Sequence, residues 1–397
     1  MAGLGHDTAI EWSAASIIFG LPHLVDSILD HATRVTLVTF MRVNEDLHNE
    51  AGKRLYHTVR IDGHNMAGFF RGAIEPDDVD SHCVVSASDD CKRAPDEDYF
   101  DTLYPPVELA KHGAERGKFK AALLARVRVL SIGRHHTCVC NYYSTYAKNL
   151  LCNLDTLRLV PAIDATPQPS TWCDDTEYYD DHCRLLMCLE PRKIVWRNLG
   201  ANPMIFFDAW PDDHLFNATN LKEVVVACYA DFADQFLIED VELGPGTKVK
   251  VIFNCQWEEW APRPSRLYDS DSDIGTEFRP PNPQNIVNSM IYWSSCYELP
   301  LAVVGLETVS FIGRGGLVTP PATMSSAEQV KNAGHQQFVK NALIAGYRNK
   351  AQVQREEGNK APDFEGSVLF QTLDEYAALP ESERCYELHD GLPPRLE

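Results

Sequence analysis

The sequence predicts an α/β protein in two parts, a small three-helix module at the amino end and a longer array of strand and helix units stacked as a solenoid. Three observations carry the prediction. Apolar residues from position 21 to 55 recur at helical spacing, seven short β-type runs come after them with helical segments between, and 397 residues at 44% hydrophobic exceed what one small core uses. The expected units are a helical module over 1–62, a linker with an entry helix over 63–125, and the repeat array with a C-terminal cap over 126–397.

The module opens with Leu24, Val25, Ile28 and Leu29 behind Pro22, a residue suited to a first helical turn. Thr33 is positioned to cap a second helix carrying Val35, Leu37, Val38, Phe40 and Met41, and a third runs from about Asp46 to Leu55. Thr58–Ile61 then turns to strand alternation. Three helices in 40 residues bury too little core to stand alone, so the module leans on a partner or on the next domain of the chain.

Residues 75–101 hold ten acids and two bases, and with Pro95, Pro105 and Pro106 the segment 75–106 reads as an acidic, disordered insertion. Two further stretches, 172–183 and 231–242, hold five acids and no base each. The net charge of −21 opposes nucleic acid and anionic lipid. No stretch reaches the roughly 18 apolar residues of a membrane span, and twelve scattered cysteines fit reduced thiols, so a cytoplasmic or nuclear protein is expected.

The β-type runs lie at 127–132, 154–159, 191–196, 221–226, 248–253, 306–311 and around 368–370. Aligning Leu130, Leu157, Ile194, Val224, Val251, Val309 and Val368 gives steps of 27, 37, 30, 27, 58 and 59 residues. The first four sit at or just above the period of leucine-rich repeats, and several units match the L-x-x-L-x-L template, although the asparagine that often succeeds the strand is absent. Helices are expected over 142–151, 182–189, 286–297 and 326–355, and a final strand and short helix would cap the last seam. A compact doubly wound sheet is the alternative, since it too alternates β and α.

Leu21-Pro22, Ile28-Leu29, Leu37, Val43, Leu47 and Leu55-Tyr56 make the first 61 residues resemble an F-box, in the fungal form that precedes degenerate leucine-rich repeats. Leu47 stands where many members carry Trp, and Glu45-Asp46 replace a common basic pair. The resemblance implies a substrate-recognition subunit of a cullin-RING ubiquitin ligase. Leu21, Pro22, Val25, Ile28, Leu29, Leu37, Val43 and Leu47 would then dock a Skp-type adaptor, and the repeats would hold a protein substrate. A plain repeat scaffold with a helical cap is the other reading.

Common catalytic and cofactor constellations are absent from the sequence, so a non-catalytic chain without cofactor is expected. His135, His136, Cys138, Cys140 and Cys152 cluster without C-x-x-C pairing, Cys138 and Cys140 reading as a strand end, and no metal is expected. Asp269, Asp271 and Asp273 lack the glycine and glutamate of a calcium loop. Residues alternating with the buried strand positions include Arg158, Lys193, Arg197 and Lys250, a basic stripe suited to an acidic or phosphorylated protein segment; ordinary surface charge is the alternative.

Overall fold

The computed structural model describes residues 21–62, 65–70, 73, 120–133, 137–159, 183–198, 218–228, 243–244, 246–253, 280–288, 290, 300–314, 317–357 and 368–379. The acidic insertion at 75–106 and Asp269 to Asp273 lie outside them.

Helices α1 (Pro22–Asp30), α2 (Arg34–Phe40) and α3 (Glu45–His57) form the amino-terminal module. Local chemistry sets their ends. Pro22 starts α1, the Thr33 hydroxyl accepts from the Thr36 N–H at 3.2 Å, and the Asn44 side chain accepts from the Leu47 N–H at 2.8 Å. Glu45 and Asp46 in the first turn of α3 and Arg54 and His57 in its last complement the helix dipole. Leu29, Leu37 and Ala51 form the module's interior, with Val25, Phe40, Met41 and Leu55 packed around them. Arg54 ties α3 to α1 through Asp26 at 3.0 Å and Asp30 at 2.6 Å.

Strand β1 (Thr58–Ile61) continues directly from α3 with no loop between, so the sheet begins before the boundary expected at residue 62. Arg126 fastens the junction: its guanidinium donates to the Asn49 carbonyl at 2.6 Å and to Asn49 Oδ1 at 2.8 Å.

After α4 (Met66–Phe70), the chain continues through β2 (Val129–Ile132), α5 (Thr137–Leu150), β3 (Thr156–Leu159), α6 (Arg184–Cys188), β4 (Lys193–Asn198), β5 (Glu223–Cys228), β6 (Lys248–Phe253) and β7 (Leu301–Val304). A small antiparallel pair, β8 (Gly313–Arg314) and β9 (Leu317–Val318), precedes α7 (Ser326–Glu356), β10 (Val368–Gln371) and α8 (Leu373–Ala377). Strands β1 to β7 and then β10 form one open, eight-stranded, all-parallel sheet in chain order. A doubly wound sheet requires a reversal of strand order, and none occurs among these eight strands.

Register explains the core. Leu130, Leu157, Ile194, Val224, Val249 and Leu301 occupy one row across β2 to β7 and face the helical layer. Leu124, Tyr143, Leu185, Ile286 and Leu343 from the helical segments close over that row and the next. Fully burying each Val or Leu contributes about 1.5–3 kcal/mol before entropy, so the shared seam holds the units together.

Three expectations are corrected. The run 306–311 is not a strand: Leu301–Val304 takes that place in the sheet, and Leu306–Thr308 forms a 3₁₀ turn. Gly305, left-handed at φ 71°, turns the chain out of the sheet there, so Val309 is buried beside α7, where Asn332 donates to its carbonyl at 3.2 Å. Cys138 and Cys140 belong to helix α5 rather than to a strand end, since β2 stops at Ile132. The carboxyl-terminal unit caps through its strand alone: β10 pairs with β7 and packs Val368 and Phe370 against the main core, whereas its helix does not lie over that seam. That helix folds onto the sheet face opposite the helical layer, where Tyr376 packs with Val195, Val225, Ile252 and Val304.

Candidate functional site

Two surfaces carry the residues singled out in the sequence. On the module, helical geometry divides them. Leu29, Leu37 and Leu47 are 2%, 6% and 3% exposed and serve the interior, so a partner cannot reach them in this fold. Leu21, Pro22, Ile28 and Val43 are exposed and Val25 is half-buried. Leu24, Val35 and Val38 also present apolar side chains to solvent, Val35 being 78% exposed. Their signal was legible: Leu24 and Ile28 are one turn apart on α1, and Val35 and Val38 one turn apart on α2, each pair offset from the inward Leu29 or Leu37. A module with a packed interior therefore still shows water six large apolar side chains.

The second surface is the sheet face turned away from the helical layer. Pairing places Ser131, Arg158 and Val195 in one row, while Lys193, Glu223 and Lys248 share another. Lys193, Arg197 and Lys250 alternate with the core positions, as the sequence pattern requires. The Arg197 side chain lies outside the described residues. Arg158 is half-buried on β3.

The stripe is not a row of free cations. Glu223 lies between Lys193 and Lys250, its carboxylate receiving the two ammonium groups at 3.0 and 3.1 Å. All three side chains are only 15–20% exposed. Burial pushes the Glu223 carboxyl upward, but the charges of Lys250 and Lys193 and their hydrogen bonds together hold it below the ordinary glutamate range.

Beside it lies an apolar seat. Val195, Val225, Ile252 and Val304, one from each of four adjacent strands, are fully buried, and Tyr376 of α8 is buried with them. The Lys250 ammonium stands 5.5 Å from the centre of the Tyr376 ring. Pattern reasoning missed the seat, although the runs Ile194-Val195-Trp196, Val224-Val225-Val226 and Val251-Ile252-Phe253 carry its signal, since unbroken apolar strands are covered on both faces.

Among the described residues no group of three or more His, Cys, Asp or Glu is placed to hold a metal ion, and no helix is long and apolar enough to cross a membrane. Comparison with family models, with curated proteins and with solved structures finds no match for this chain.

Proposed function

We propose that this chain is the substrate-recognition subunit of a cullin-RING ubiquitin ligase, an F-box-like module carrying an irregular leucine-rich-repeat array. The observation that carries the reading is the display of Leu21, Leu24, Ile28, Val35, Val38 and Val43 on a module whose own interior is complete. Their natural occupant under this reading is a Skp-type adaptor, whose docking removes that apolar surface from water. The unreversed strand order supports the solenoid half of the proposal, since stacked repeats add strands in one direction only.

The work of such a subunit is non-catalytic. It holds a protein substrate close to a ubiquitin-charged enzyme supplied by others, in the cytosol or nucleus, and so raises the substrate's effective concentration. The direct passage from α3 into β1 and the Arg126 clamp on Asn49 make a stiff connection between adaptor surface and sheet, which suits that task. The same stiffness favours a second reading, in which the module is only a cap on a repeat scaffold.

Co-expression with a Skp-type adaptor separates the two. Under the ligase reading the chain captures the adaptor, and Val35→Asp combined with Val43→Asp abolishes capture while the protein stays folded. Equal adaptor recovery with and without the two aspartates, or none with the unaltered chain, leaves the scaffold.

A further inference from the structure

We propose that α8 is an internal ligand of the sheet face, a tyrosine-bearing acidic turn holding a seat that a protein partner's segment of the same chemistry takes over. The inference rests on the reading that this face recognises protein segments, and it names the class: an aromatic side chain flanked by carboxylates on a single helical turn.

The seat has a defined chemistry. Four aliphatic side chains from β4 to β7 accept one ring, and Lys250 stands against that ring while sharing Glu223 with Lys193. The occupant matches it. Helix α8 reads Leu-Asp-Glu-Tyr-Ala, and its Asp374 and Glu375 are exposed. Leu373 and Leu379 fill the margins of the same cluster. An aromatic turn flanked by leucines therefore suits the apolar seat, with Lys250 against its ring and its carboxylates left toward water.

Helix α8 is also built to leave. Five residues are far short of a length that is helical by itself, so its order comes from the seat and from local caps. Those caps are the Thr372–Glu375 capping box, with hydrogen bonds at 2.7 and 3.1 Å, and the Leu373 N–H donating to Glu307 Oε1 at 2.6 Å. All lie in exposed surroundings. Strand β5, by contrast, is paired on both sides along its whole length. Short, end-anchored elements open at lower free energy than central strands, and a seat open for only a fraction of the time weakens an outside ligand by that fraction. Helix α8 thus sets a threshold for partner binding.

The test uses the full chain and a labelled synthetic peptide with the sequence of residues 370–379. Amide hydrogen exchange on the unaltered protein is expected to release 373–378 at least 100-fold faster than 223–228. The peptide is expected to bind the Leu373→Ala protein at least tenfold more tightly than the unaltered one, and a peptide carrying Ala at the tyrosine position is expected not to bind. Exchange of α8 only together with β5, or loss of the whole fold in Leu373→Ala, makes α8 an integral part of the core and overturns the proposal. So does a folded Leu373→Ala protein with no peptide affinity. Adaptor capture by the module is a separate measurement, so failure here and failure of the ligase reading are distinguishable.

Discussion

Gly305 and Gly246 share a backbone conformation but not an environment, and replacing each by Ala separates two physical effects. Both are left-handed, at φ 71° and 83°, so either alanine meets the strain of that region, about 1–2 kcal/mol. A β-carbon at Gly246 would touch nothing within 4 Å. At Gly305 it would stand 2.1 Å from the Phe253 carbonyl oxygen and 3.4 Å from Leu373 Cδ1. The first distance cannot be sustained, and the nearest obstacle is backbone at the end of β6. Either β6 or the turn after β7 must shift, which disturbs the hydrogen bond from the Gly305 N–H to the Gln371 carbonyl at 3.0 Å and that from Thr308 Oγ1 to the Phe253 carbonyl at 3.3 Å. Each is worth about 1 kcal/mol net, so Gly305→Ala should lose about 3–5 kcal/mol against about 1–2 for Gly246→Ala. A domain typically has only about 5–15 kcal/mol to lose. Urea denaturation of the two variants at matched slopes reads the difference directly. Equal losses would refute the argument, since the carbonyl contact would then add nothing to the backbone strain.

The apolar surface of the module should divide by exposure. Val35→Asp with Val43→Asp should leave the melting temperature near that of the unaltered chain, whereas Leu47→Ala, at 3% exposure, should cost about 2–4 kcal/mol; a strongly destabilised double aspartate would place those valines in a core. Glu223→Gln should cost about 2 kcal/mol, because two partly buried lysines lose their shared carboxylate. Since the folded carboxyl lies below its ordinary value of 4.5, its contribution is complete above pH about 4.5 and disappears as the pH falls through the lowered folded value. Stability measured against pH should therefore fall less steeply on acidification in Glu223→Gln, and an identical profile would count against the pairing. The Glu328 carboxyl is held at about 2, by the Arg314 side chain first and the Ser325 cap next. Arg314→Ala should raise it toward the normal range in an NMR titration of the side chain.

Much of the architecture arises from local pattern. Short β-type runs recurring along the chain place β2 to β6 within a few residues of their observed limits, because apolar and β-branched residues concentrate where a strand is buried. Pro22, Thr33 and Ser325 mark helix starts through chemistry confined to one turn. The inner and outer sides of α1 and α2 were legible too, yet withdrawing Leu29, Leu37 and Leu47 from a partner required knowing that three short helices already bury them.

What the tertiary structure alone decided is non-local. The run at 306–311 satisfies the repeat template as well as true strands do, and only the competition with Leu301–Val304 for the edge of β6 excludes it. Lys193 and Lys250 were correctly placed on one face, but the sequence could not show that Glu223 stands between them, because neighbours across a parallel sheet are some thirty residues apart in the chain. Tyr376 is the extreme case: its seat takes one residue from each of four strands. Local rules set which way each side chain points, since that depends on backbone geometry a few residues long. Which side chains then meet depends on register and on where the chain returns, and those are set by the free energy of the whole packed sheet.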